Sequence, residues 1–347
     1  PPGTQEREVW MKKILFAAVA ALAITGCSQN EEIEKAAKTA EIGFNSVVSK
    51  TTRATSVNLD VLKTNGFTVY AYNTGNDAMG TGTLAKNIID KEPITWNGTD
   101  SWLGSKAYYW PNSGKIQFFA YSSKNVTGLT AQSSDVYPTI VDYEVPADAT
   151  KQEDLLVAKA NDLTKTDAKV NFVFSHALTQ VNFSIKSKVN DGLTYEVTDI
   201  SISEVGNKAT YNYGTGWSEP TATTSSYTYP ISKTATDNQV AGDASTVKIL
   251  DTSNLMMLLP QTLSNKAKIL VKYKVMDKNG DTVYGDALTT GKEIVIGDGT
   301  TKWGMGKKVR YTLALTNNAT SIGWEVTSVD EWTKDNEEDK GVETPAK

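Results

Sequence analysis

Few side chains here are equipped for chemistry. The chain of 347 residues holds one cysteine, Cys27, and one histidine, His176. A lone cysteine rules out a disulfide framework and any multi-cysteine metal or iron–sulfur site, and a lone histidine rules out sites that need two or three imidazoles. His176 follows Ser175 in "VFSHALTQV", but a nucleophile–base pair also needs an orienting partner and an oxyanion site, and neither is signalled. The expectation is a structural histidine at a strand end or domain junction. The 40 acidic residues always allow some carboxylate pair for glycosidase-type acid–base work, yet none stands in a recognisable setting. Asp277, Asn279 and Asp281 alternate as calcium ligands do, but Gly280 falls at loop position four instead of six, and position twelve is Leu288 where a bidentate glutamate belongs. Gly80-Thr81-Gly82 and Gly304-Met305-Gly306 are isolated pairs in turn-like text, and no phosphate loop or nucleophile elbow occurs. No enzyme activity, metal or cofactor is expected.

Cys27 has its own chemistry. From Met11, the favoured translation start, the text runs "MKKILFAAVAALAITGC": two lysines, then an apolar run from Ile14 to Ile24. That run is shorter than the about 20 residues a membrane-spanning helix needs and fits a cleaved export signal. Ile24-Thr25-Gly26-Cys27 resembles a bacterial lipobox, in which the cysteine thiol takes up diacylglycerol and the chain is cut before it. Residues 1–26 are therefore expected to be removed. Residues 27–40, "CSQNEEIEKAAKTA", read as a lipidated polar tether between membrane and folded body.

These signals must be carried by strands. Beyond residue 40 the apolar pattern has period 2: Phe67, Val69 and Ala71; Val181, Phe183 and Ile185; Ile269, Val271, Tyr273 and Val275; Val309, Tyr311, Leu313 and Leu315. Such alternation, one face for a core and one for water, predicts antiparallel sheets. With no regular helical spacers, the fold class is all-β, built of β-sandwiches. One short helix-like stretch lies around Gln152 to Lys159. Asn279-Gly280 between two strand-like runs predicts a hairpin with a type I′ turn. An N-terminal domain over 41–168 and a C-terminal domain over 169–332 are expected, with a charged tail over 333–347. The net charge of −5 leaves no basic stripe for nucleic acid. The cluster Trp96, Trp102, Tyr108, Tyr109, Trp110, Phe118, Phe119 and Tyr121 is either core of one sandwich or a lectin-like surface.

In order and spacing, "GFTVYAY", "YYWPNSGKIQFFAYS", "QEDLLVAKA", "FSHALTQVNFSI", "LMMLLPQTL" and "WGMGKKVRYTLAL" resemble the fimbrillin (Mfa-like) family of Bacteroidota, the type V pilins and related surface adhesins. The resemblance covers roughly residues 40 to 332. It implies two transthyretin-like β-sandwich domains in tandem and a structural role as a lipoprotein of the outer membrane and cell surface. It also implies a mechanism. An arginine-specific protease cuts in the loop after the first strand, here between Arg53 and Ala54, and releases residues up to 53. Ile42, Phe44 and Val48 would belong to that displaced strand. A strand of a neighbouring pilin subunit, here the segment around Ile322, Trp324 and Val326, then fills the groove head-to-tail. An alternative stands beside this: a monomeric surface lipoprotein or tip adhesin that binds glycan or host protein through Trp96, Trp102 and Trp110.

Overall fold

The computed structural model describes residues 41–48, 59–166, 168–222, 226–231, 236–250, 256–285, 291–317 and 323–331. The export signal, the tether with Cys27, the Arg53–Ala54 bond, Ile322 and the tail over 333–347 lie outside the described residues.

The all-β expectation holds. The chain opens with β1 (Phe44–Val48), followed by the helix α1 (Leu59–Asn65) and by β2 (Phe67–Asn73), β3 (Lys86–Trp96), β4 (Trp102–Gly104) and β5 (Ile116–Ser122). Next come β6 (Thr139–Glu144), β7 (Leu156–Leu163) and β8 (Val170–His176). Seven of these strands close into a barrel in the order β1-β4-β3-β2-β5-β7-β8. The barrel closes only because β1 reaches both β4 and β8. Without β1 the other six form an open sheet with two free edges.

β9 (Thr179–Ser187), β10 (Asn190–Ser203) and β11 (Gly206–Asn212) begin the second half. There a five-stranded sheet, with β9 beside Lys307–Leu315 and Gly323–Glu331 at its edge, packs across one core with a six-stranded sheet centred on β10 and Lys268–Met276. β6 leaves the first half to pair with β11. The chain quits the barrel after His176, past the expected division at 168/169.

Among the described residues, pairing is antiparallel with two exceptions. β1 runs parallel to β8, and β9 runs parallel to Lys307–Leu315. Parallel neighbours need a long crossover, and here whole stretches of sheet supply it in place of a helix.

The alternation in β2, β5 and β7 serves two cores. Phe67, Val69 and Ala71 enter the barrel core, whereas Tyr70 and Tyr72 enter the larger core shared with the second half. Phe118 and Ala120 face the barrel, and Phe119 and Tyr121 face the other way. The same doubling explains the helix-like appearance of Gln152 to Lys159. Leu155, Leu156, Val157 and Ala158 are all buried because alternate residues serve opposite cores, and from Leu156 on the segment is strand β7. A strand buried on both faces loses its polar punctuation. The one α-helix among the described residues, α1, spans seven residues and buries only Leu62, too little for a periodic signal. The predicted hairpin forms between Lys268–Met276 and Thr282–Tyr284, but positive φ is confined to Gly280 (87°). The Asp277 carboxylate accepts from the N–H groups of Asn279 and Asp281 (2.8 and 3.0 Å), which holds a wider loop than a type I′ turn.

Candidate functional site

β1 occupies a slot between β8 and β4. On the β8 side it is paired along its whole length, from Phe44↔Val170 to Val48↔Phe174. On the β4 side the ladder has one pair, Phe44↔Trp102, extended by the Ile42 N–H donating to the Tyr108 carbonyl (2.8 Å) and a bridge between Glu41 and Tyr109. Alternation then sorts the side chains. Ile42 and Phe44 are buried in the barrel core, and Val48 packs half-buried against it. The Phe44 ring stacks on Phe172 (6.1 Å between centroids) and meets Phe118 edge-on (6.4 Å). Between them, the Ser46 hydroxyl is buried without a hydrogen-bond partner. Outward, Val47 (53% exposed) stands opposite Val173 (55% exposed).

The β4 side of the slot is tied down by a residue with no sequence signal. Glu92, on β3, is buried, accepts a hydrogen bond from the Ser105 backbone N–H and another from the Tyr108 hydroxyl (2.9 Å). This fixes the strand-to-loop segment whose Tyr108 carbonyl receives Ile42. Burial pushes the Glu92 carboxyl up, but the hydrogen bonds from Ser105 and Tyr108 together outweigh it, so its pKa lies below the ordinary value. Burial, aided by that carboxylate, pushes the Tyr108 phenol up to about 12.

The residues expected of a displaced strand, Ile42, Phe44 and Val48, thus share one inward face. The proposed ligand aromatics do not share a surface. Trp102 (5% exposed) and Trp110 (4% exposed) are core of the barrel and cannot stack on a sugar. Their rings pack with Phe67 and Phe118 to fill the interior of a small barrel. Trp96 is half-buried against Trp102 (5.3 Å) with the Lys63 ammonium over its ring (4.4 Å). Trp324 and Val326 lie in Gly323–Glu331, whose backbone pairs antiparallel with Lys307–Leu315. His176 is buried, its Nδ1 2.5 Å from the Asp154 carboxylate, at the point where the chain passes from barrel to second half. That is a structural partnership. Asp154, 22 positions upstream, was not foreseeable from the residues around His176.

The fimbrillin-like family model matches residues 52–332. The chain belongs to the fimbrillin-like family. A prokaryotic membrane lipoprotein lipid attachment site also matches, over residues 11–28, and includes Cys27. This fimbrillin-like chain is 30% identical to the fimbrium subunit Fim1C of Phocaeicola vulgatus, with 95% of the chain and 99% of that protein covered. A fimbrial protein from Bacteroides vulgatus shares the fold, with a TM-score of 0.68 and 24% identity over 85% of the chain and 100% of that structure. The family is one of fimbrial proteins, and the fimbrillin-like chain carries the membrane anchor site of a lipoprotein.

Proposed function

We propose that this chain is a structural subunit of a cell-surface fimbria. It would reach the outer membrane as a lipoprotein on Cys27 and be assembled by strand exchange after cleavage between Arg53 and Ala54. The observation that carries the reading is the placement of β1: a single short strand closes the barrel, and the chain that follows it leads to an arginine within a few residues. Arginine is scarce here. The chain has three, Arg7, Arg53 and Arg310. Arg7 precedes the lipid attachment site, and Arg310 sits inside a strand paired on both sides. That leaves Arg53 as the arginine at which a protease specific for arginine would cut the anchored chain.

Energetics favour replacement over vacancy. Burial of Ile42 and Phe44 with part of Val48 is worth on the order of 5 kcal/mol, comparable to the entire net stability of a small domain. Removing β1 exposes that surface together with the unpaired edges of β4 and β8, which template pairing with another chain. A strand from a neighbouring subunit fills the slot by β-augmentation. Because donor and slot are different surfaces, the contact is head-to-tail and propagates into a filament. Pilin subunits are thus the partners in assembly.

Mass spectrometry of surface-assembled material tests this. A mature N-terminus at Ala54 is the expected result, and assembled protein that still begins at lipidated Cys27 would overturn strand release.

A further inference from the structure

A cavity of about 450 Å³ opens where the end of α1, the start of β2, the middle of β3 and the loop before β7 meet, with Met257 of the second half also in its wall. That volume suits a small ligand. Asn65-Gly66 shapes the wall at the helix end. The Gly66 N–H donates to the Leu62 carbonyl (2.7 Å) at a φ of 73°, the left-handed stop that glycine takes without steric cost. A Cβ there would stand 2.5 Å from the Ile94 carbonyl oxygen, so glycine lets the end of α1 sit close against β3. The Ser122 hydroxyl holds the Gly66 carbonyl (2.7 Å). In the loop before β7, Gln152 accepts from the Met257 N–H (2.8 Å) and donates to the Pro146 carbonyl (2.9 Å), which pins that loop to the second half. The cavity is therefore built before any ligand arrives.

Asp154 lines it and points to what it holds. The Asp154 side chain is 1% exposed. Its Oδ2 faces His176 Nδ1, whereas its Oδ1 is buried and has no hydrogen-bond partner. A buried acceptor without a donor has given up its water for nothing. Because the imidazole already occupies the other oxygen, what Oδ1 lacks is a hydrogen bond more than a counter-charge. Glu153 beside it is likewise supplied: it accepts from the Lys124 N–H (2.8 Å), and the Lys124 ammonium stands 3.9 Å away. An added ammonium gains little here, and an acidic ligand meets two carboxylates. A hydroxyl suits the vacancy, and Phe67, Pro93 and Met257 offer apolar wall to the C–H face of a ring.

We propose that this cavity binds a neutral saccharide, whose deepest hydroxyl donates to Asp154 Oδ1. The proposal goes beyond the fimbrial-subunit reading and stands apart from strand exchange. The lining residues run from Val61 to Met257, so the site contains no residue of β1 and stays with the body of the chain when it is cut after Arg53. It also differs from a site on Trp96, Trp102 and Trp110, none of which lines the cavity.

The test is saturation-transfer NMR on the uncut full chain with Cys27→Ser, using glucose, galactose, mannose and N-acetylglucosamine as neutral probes, glucuronate as the acidic probe and putrescine as the amine. The expected result is transfer to at least one neutral sugar and none to glucuronate or putrescine. Asp154→Asn should weaken that binding roughly tenfold, as loss of a charge-assisted hydrogen bond does. Thr95 is exposed at the cavity's edge on β3. Thr95→Trp should therefore abolish binding by filling the space without touching Asp154 or His176, and it keeps the test decisive if circular dichroism shows Asp154→Asn to be misfolded. Sugar binding that survives Thr95→Trp overturns the site. Binding lost in Thr95→Trp but unchanged in a folded Asp154→Asn overturns the role of Asp154. Transfer to putrescine or glucuronate with none to the sugars overturns the ligand class, and no transfer to any probe overturns the proposal. None of these results bears on the N-terminus of assembled material, so failure here leaves the fimbrial reading standing.

Discussion

Phe44 anchors β1 through its ring. It is 3% exposed and touches Phe172 and Phe118, so Phe44→Ala leaves a cavity that its rigid neighbours cannot fill. Stability should drop by about 3–5 kcal/mol, seen as a lower urea midpoint at unchanged slope. Ser46 has the opposite effect, since its buried hydroxyl finds no partner. Ser46→Val should raise stability by about 1 kcal/mol and slow the release of the N-terminal piece after cleavage. Faster release, timed by size-exclusion chromatography, would contradict the account of the slot. Glu92 brings a pH dependence. Its carboxyl is lowered in the folded protein from an ordinary 4.5 because the hydrogen bonds it accepts outweigh its burial. A carboxyl lowered by folding stabilises above its unfolded value and loses that contribution as pH falls through its folded one. The strap that receives Ile42 should therefore weaken below about pH 4.5, and Glu92→Gln should flatten the acid limb of thermal melts recorded between about pH 3 and pH 6. Ile42, Phe44 and Val48 were legible because alternation alone tells which residues share a face. Glu92 was not, since nothing in "IIDKEPITW" says which loop its carboxylate will meet.

At the scale of elements, β1 is the five-residue strand that closes the barrel between β4 and β8. Its loss turns β8 and β4 into edges. In the cut chain, once residues up to 53 are stripped away, backbone amides of Val170–His176 should exchange with solvent faster than in the uncut chain, and a synthetic peptide spanning Ser321 to Trp332 should restore protection. Unchanged exchange in β8 would mean that β1 is not what shields it. The strands themselves were largely readable from period 2, including Ile269, Val271, Tyr273 and Val275 on one face of Lys268–Met276. Closure of the barrel was not, because a parallel pairing between residues 44 and 170 leaves no local trace. The reading of Gln152 to Lys159 as helical failed for a related reason: a strand serving two cores is apolar on both sides, and periodicity cannot tell that from a buried helix.

The molecule as a whole is joined by its larger core. Tyr70, Tyr72, Phe119 and Tyr121 on the outside of the barrel belong to the same cluster as Phe183, Tyr195, Tyr273 and Tyr311 of the second half. Phe119 meets Tyr213 edge-on at 5.1 Å, and the Tyr213 hydroxyl donates to the Ala120 carbonyl (2.8 Å). Phe119→Ala should therefore destabilise both halves together, by about 3–5 kcal/mol, with one calorimetric transition shifted instead of one of two. Two separate transitions of which only one moves would show the halves to be independent. This joint also decides how the subunit behaves under traction. Under the proposed strand exchange, a fibre pulled by flow loads each subunit between the slot that β1 occupies in the barrel and the strand it gives to its neighbour. Tension entering at β8 must cross the aromatic seam before it leaves through the neighbour of Gly323–Glu331. The seam opposes that tension with many interlocked rings strained at once, so under the proposed strand exchange the load falls first on the strand held in the slot, and the fibre parts between subunits before it unfolds within them.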